Sequence, residues 1–279
     1  MNKPVFLGCD TPRESSEIVI VGAPFDGTVS NRPGTKFAPN RIRLESWTIE
    51  TYSPYQDKDL DETKIHDAGD IPIPYGNTAH TMDVIHSAIQ SIVTEGKKPF
   101  MIGGEHLVSF PSIQAVAEQY PDLRVVHFDA HTDLRDTFFG ESLSHATVLK
   151  KVCDILGDRR LYQFGIRSGT KEEFDYAREH QYLELADVKT IPTILPELQD
   201  VPVYITLDVD VLDPSVMPGT GTPEAGGITY KELLHALLQL RGLNIVGADI
   251  VEVSPDLDSS GSSTAVASVL VRELLLLLS

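Results

Sequence analysis

The chain has 279 residues, 41% hydrophobic and 23% charged, which excludes a disordered polymer and suits one large α/β domain over residues 1–279. A formal net charge of -18 disfavours nucleic acid and anionic membranes as partners and favours small cations or metal ions. Cys9 and Cys153 are too few for a disulfide framework, the start lacks a long apolar signal segment, and the five leucines near the end fall short of a bilayer span, so a soluble cytoplasmic protein is expected.

In chain order, the first buried strand is predicted at "EIVIVGAP" from Glu17. The polar, proline-containing stretch from Thr48 to Tyr75 reads as loops. A helix follows in "NTAHTMDVIHSAIQSIVTEG", where Met82, Ile85, Ile89 and Ile92 recur every three or four residues and Gly96 marks the stop. Further strands are predicted at "KPFMIGG", "RVVHFDA", "RLYQFGI", "VPVYITLDVD" and "NIVGADIVEV". Two more helices lie in "TYKELLHALLQLRG", with Thr229 as N-cap and Gly242 beyond the last apolar residue, and in "GSSTAVASVLVRELLLLLS". This alternation predicts an α/β fold, a three-layer α/β/α arrangement with a mostly parallel central sheet and ligands at the strands' carboxyl ends.

Three of the apolar strands run into acids or histidines. "RVVHFD" ends in "DAHTD", where an extended backbone would turn Asp129, His131 and Asp133 to one side. "VPVYITLDVD" closes on Asp208 and Asp210, and "KPFMIGG" leads into Glu105 and His106. Unpaired charges gathered there would cost several kcal/mol each, roughly, and a cation is the simplest compensation. Several carboxylates with two histidines suit Mn(II) better than a cysteine-rich structural zinc site, and three clusters supply enough ligands for an ion pair about 3.5–4 Å apart. "DVDVLDPSVMPG" and "DLDSSGSSTAVA" lack the glutamate an EF-hand needs at its twelfth position, and "GTGTPEAGG" lacks the Lys-Ser/Thr of a phosphate-binding loop.

The motifs "GGEH", "DAHTD", "SHATV", "ITLDVDVLDP", "PGTGTPEAGG" and "DIVEVSP", in that order, together with "NRPGTKFAPNRIR", resemble the ureohydrolase (arginase/agmatinase) family from about Pro33 to the C-terminus. The resemblance implies an arginase-like fold and two Mn2+ per subunit. One ion would be held by His106, Asp129, Asp133 and Asp208, the other by His131, Asp129, Asp208 and Asp210. It further implies attack of a bridging hydroxide on a guanidinium carbon, with Asp133 passing a proton to the leaving amine. His145 would be the proton shuttle and Glu252 the acid that pairs with the guanidinium; a trimer or hexamer of identical chains is also implied.

Where arginases carry an asparagine two residues beyond "DAHTD", this chain has Arg135, and the wording of its loop resembles agmatinases. Agmatine, a small cationic guanidinium compound giving putrescine and urea, is therefore the expected substrate, with Glu141 or another loop acid serving its ammonium tail and His145 and Glu252 contacting the guanidinium. Arg135 could instead greet an acidic tail, as in guanidinobutyrate or formiminoglutamate hydrolysis; arginine is the other alternative. A single-zinc deacetylase and a non-catalytic metal-binding protein of the same fold are the readings from other classes. His127 is expected in the core or supporting a ligand, Asp213 in a turn, and His66, His80 and His86 carry no motif.

Overall fold

A computed structural model describes residues 4–279. In chain order it contains β1 (Ile18–Ala23), α1 (Ala38–Glu45), the short strands β2 (Tyr52–Ser53) and β3 (Lys58–Asp59), β4 (Ile65–Asp70), α2 (Thr78–Thr94), β5 (Lys98–Gly103) and α3 (Ser109–Gln119). There follow β6 (Arg124–Phe128), α4 (Val148–Leu156), β7 (Leu161–Ile166), α5 (Lys171–His180), β8 (Tyr182–Leu185), α6 (Ile191–Leu198), β9 (Pro202–Asp208), α7 (Tyr230–Gln239), β10 (Asn244–Val251) and α8 (Ser262–Leu278). Eight strands form one sheet in the order β4-β1-β5-β10-β9-β6-β7-β8, and every pairing in it is parallel. β2 and β3 pair separately as a small antiparallel ribbon.

The strands are apolar on both faces because both faces are covered. Along β1, Ile18 and Ile20 enter one apolar cluster and Val19 and Val21 the other. The first cluster is completed by α1, α6, α7 and α8, the second by α2, α3, α4 and α5, which makes the expected three layers. The α2 face predicted from Met82, Ile85, Ile89 and Ile92 is buried, Asn77 caps the helix by accepting from His80 N at 3.0 Å, and Gly96 (φ +75°) ends it. Thr229 caps α7 through a reciprocal bond with Glu232.

The stretch Thr48–Tyr75 differs from its reading as loops, because it contains β4, an edge strand. "IHDAGD" carries charged residues where a central strand would carry valine or isoleucine, yet Ile65, Asp67 and Gly69 face inward. Asp67 is accommodated by buried Arg43 of α1, whose Nε and Nη2 donate to its two carboxylate oxygens at 2.7 and 2.9 Å. Arg43 also pairs with Asp70. The α1 helix thus ties the sheet's outer strand by a bidentate ion pair beside the apolar cluster they share.

Candidate metal centre and its surroundings

The carboxyl ends of β5, β6, β9 and β10, the four central strands, converge on one site. His106 follows β5, Asp129 to Asp133 follow β6, Asp208 ends β9 with Asp210 two residues on, and Glu252 follows β10. His106 Nδ1 lies 3.0 Å from Asp129 Oδ2, 3.2 Å from Asp133 Oδ2 and 3.4 Å from Asp208 Oδ2. His131 Nδ1 lies 3.0 Å from Asp210 Oδ2 and 3.4 Å from Asp129 Oδ1. Asp129 therefore turns one oxygen to each histidine.

The three residues of "DAHTD" converge, but not by the pleat. β6 ends at Phe128, and Asp133 has φ +52°, in the left-handed region, so a turn rather than an extended strand brings its carboxylate back beside His106. Its carbonyl accepts from Leu149 N and Lys150 N at 3.0 and 3.2 Å, which pins that turn to the start of α4. Glu252 is likewise left-handed (φ +65°), and its Oε1 accepts from His106 N at 2.7 Å. Strained backbone at two acids of one site marks a geometry that the surrounding structure enforces.

Burial opposes charge on these groups, and their neighbours decide the outcome. The carboxylates around His106 and His131 raise both imidazoles well above the ordinary value despite burial. Asp129, equally buried, is held well below the usual carboxylate range by His106, His127 and His131. Burial and the Asp129 charge push Asp133 up to about 6; burial and Glu105 push Glu252 up to about 8. Histidines and carboxylates this close together form groups that could hold a metal ion. His106 Nδ1 and Asp210 Oδ2 are buried atoms with no hydrogen-bond partner, the signature of groups awaiting a positive ligand. The donor set, imidazoles and carboxylates without sulfur, fits manganese.

Beneath these groups a polar row crosses the sheet in register: Gln163 of β7 beside His127 of β6, beside Thr206 of β9, beside Asp249 of β10. Gln163 Nε2 meets His127 Nδ1 at 3.1 Å, and His127 Nε2 donates to Asp129 Oδ2 at 2.8 Å. His127 accordingly lies in the core and supports Asp129. Thr206 Oγ1 donates to Asp249 Oδ1 at 2.7 Å and so has only lone pairs for His106 Nε2, 3.0 Å away. That fixes the proton of His106 on Nε2 and leaves Nδ1 facing the carboxylates. Tyr204 and Ser112 extend the chain behind Asp249.

Above the carboxylates lies a cavity of about 260 Å³, lined by Asp133, His145, Glu252, Arg135, Phe138 and Glu173 among others. Glu141 stands outside it, in an exposed hairpin where its backbone pairs with Phe138. Arg135 Nε is 3.4 Å from Glu173 Oε2, and its guanidinium packs 4.8 Å from the centre of the Phe138 ring. Glu224, from the glycine-rich loop, accepts from Ser168 Oγ at 2.9 Å and lies 4.0 Å from His131 Nε2. Asp213 does organise its turn, accepting from Ser215, Gly226 and Gly227.

Residues 16–277 match the family described as Arginase family. The chain belongs to the arginase family. It is 51% identical to the agmatinase of Bacillus anthracis over 98% of this chain and 95% of that one, and 47% identical to the agmatinase of Bacillus subtilis over the same shares. A solved Clostridium difficile protein, 48% identical, superposes with a TM-score of 0.94 over 96% of this chain and 99% of its own.

Within this arginase-family site, reading the sequence overlooked Thr206, Asp249, Gln163, Glu173 and Glu224. The signal for the first three was a polar residue inside an otherwise apolar strand; Glu224 lay within the quoted motif "PGTGTPEAGG", and nothing local marked Glu173. No helix among the described residues is long and apolar enough to cross a membrane.

Proposed function

We propose that this chain hydrolyses agmatine to putrescine and urea at a pair of manganese ions. The observation that carries the reading is the sharing of Asp129: His106 and His131 each turn Nδ1 toward it, and Asp133, Asp208 and Asp210 complete two adjacent ligand sets. His106, Asp129, Asp133 and Asp208 would hold one ion, and His131, Asp129, Asp208 and Asp210 the other. Bound there, the ions supply the Lewis acidity that makes water a nucleophile near neutral pH.

The protein's own groups do the rest. Glu252 is anchored through Oε1 by the His106 N–H and has Oε2 free to accept from a planar guanidinium, fixing its carbon over the carboxylate cluster. A bound guanidinium cation also favours the ionised form of this buried acid. Asp133 faces the cavity and takes the proton released as the C–O bond forms, returning it to the departing nitrogen as the C–N bond breaks. His145, at the wall, exchanges protons with solvent. Burial holds its imidazole down at about 4, so it is neutral near pH 7. The products are urea and a primary amine.

Agmatine is favoured by the agmatinase relatives at 47–51% identity and by the cavity's charge. Arg135, the group that would greet an acidic tail, is already paired with Glu173 and packed on Phe138. Glu141, on the hairpin that carries Phe138, and Glu224, near the His131 side, are the loop acids for the ammonium end. The reading takes residues 1–279 as one domain, working in the cytoplasm as a homo-oligomer. Urea release from agmatine, arginine, guanidinobutyrate and formiminoglutamate by the manganese-loaded protein tests it, with formamide followed for the last. Agmatine should be preferred by at least about tenfold in kcat/KM; preference for an acid-tailed guanidine would transfer the assignment to Arg135 and guanidinobutyrate.

A further inference from the structure

His145 is held by a clamp of two residues remote from it in sequence. Its backbone N–H donates to Thr28 Oγ1 at 3.1 Å, and its Nδ1 lies 2.9 Å from the Thr28 carbonyl oxygen. The Ser144 hydroxyl is the farther neighbour of Nδ1, at 3.3 Å; the nearer carbonyl has no proton to give, so Nδ1 carries the hydrogen and Nε2 is left as the acceptor. Nε2 faces Ser30 Oγ, 3.2 Å away, and the side of the ring that lines the cavity.

Thr28 is in turn fixed by Glu105, which is fully buried. Thr28 N donates to Glu105 Oε2 at 2.7 Å, and the Thr28 hydroxyl donates to Glu105 Oε1. With its single hydrogen committed, that hydroxyl can only accept from His145 N. Each donor of Thr28 thus meets a carboxylate oxygen, and each acceptor of Thr28 meets a donor of His145. The loop reaches this position because Gly104 has no Cβ: one built there would overlap the Phe25 carbonyl, which accepts from Glu105 N at 2.8 Å.

We propose that Glu105 and Thr28 are positioning residues for proton transfer, a clamp that locks His145 in its Nδ1–H tautomer with Nε2 presented to the cavity. Glu105 adjoins His106 in the chain but acts on His145, through Thr28. The loop from Phe25 to Ser30 thereby becomes part of the proton path rather than a mere rim. The role assigned to His145 rests on the proposed hydrolysis; the clamp's geometry does not.

The test combines a spectroscopic and a kinetic measurement. In protein loaded with diamagnetic Zn2+ and labelled with 15N-histidine, the His145 resonances, assigned by their absence from His145→Gln, should show a protonated Nδ1 and an unprotonated Nε2 at pH 7. Thr28→Val should lower kcat for agmatine by on the order of 10–100-fold in the manganese-loaded enzyme while KM changes little, because the ring is misplaced and not lost. Glu105→Gln should act in the same direction, since an amide must point its NH2 group at one of Thr28's donors. Thr28→Ser, which keeps the hydroxyl, should stay within about threefold of wild type. An Nε2–H tautomer in the wild-type protein, wild-type kcat in Thr28→Val, or an equal loss in Thr28→Ser would overturn the clamp. The wild-type spectrum decides even where a variant fails to fold. Absence of urea from wild-type enzyme would instead sink the hydrolysis reading and leave the tautomer result standing.

Discussion

Asp129 Oδ2 lies 3.0 Å from His106 Nδ1, while its other oxygen lies 3.4 Å from His131 Nδ1, so a single carboxylate links the two halves of the site. Replacing it by an amide of equal size removes the charge that both halves share. Asp129→Asn should therefore weaken manganese binding at both positions by more than about 100-fold, with urea release falling in parallel. Metal analysis after dialysis checks it; two ions retained per chain would contradict the shared role.

Behind His106, the Thr206–Asp249 pair sets which nitrogen carries the proton. Thr206→Val and Asp249→Asn should each weaken metal binding by about 10–100-fold, and Thr206→Ser should restore it, as expected when a hydrogen bond orients a ligand. Competition with a chelator measures this, and melting of the metal-free proteins separates it from lost stability. Unchanged affinity in Thr206→Val would remove the pair from the site's function.

Metal uptake should release protons. In the metal-free protein the surrounding carboxylates hold His106 and His131 protonated near neutral pH, so a cation must displace those protons and affinity should climb with pH. Titration calorimetry in buffers of different ionisation enthalpy reads the number released. No proton release at pH 7 would contradict the electrostatic description.

The His145 imidazole is shifted in the opposite direction. Its folded value, pushed down by burial to about 4, lies below the roughly 6.5 of an exposed histidine. The unfolded chain then binds the proton more readily, so stability is full above pH ~6.5 and declines as pH falls toward 4. In His145→Gln the slope of denaturation free energy against pH over that interval should flatten; an unchanged slope would show that other groups carry it.

The edge strand β4 depends on charge. Removing Arg43 would leave buried Asp67 without its two guanidinium bonds, and Arg43→Ala should cost about 3–5 kcal/mol in urea denaturation. Replacing both partners by apolar residues, Arg43→Met with Asp67→Leu, should recover part of that loss. A cost within experimental error for Arg43→Ala would show that the strand is held by its apolar neighbours.

The central strands could be read from sequence because burial on both faces leaves an uninterrupted apolar run, as in "VPVYITLD" and "NIVGADIV". β4 could not, since its inward Asp67 is neutralised by an arginine 24 residues away in the chain. The residues proposed to hold metal were visible as acids and histidines at strand ends. How Asp133 arrives was not, because the alternation of an extended chain gives no hint of a left-handed turn. The supporting row Gln163–His127–Thr206–Asp249 is a product of strand order: only once β7, β6, β9 and β10 lie side by side do these residues become neighbours. The Glu105–Thr28–His145 clamp spans 77 residues on one side and 117 on the other, beyond any local pattern.

Urea release from agmatine, followed as manganese is added stepwise to the metal-free protein and bound metal is counted in the same samples, tests the central claim most directly. Activity should rise until two ions are bound per chain and then level off. Two bound ions without urea, or full activity at one ion, would contradict a shared dinuclear centre that hydrolyses agmatine.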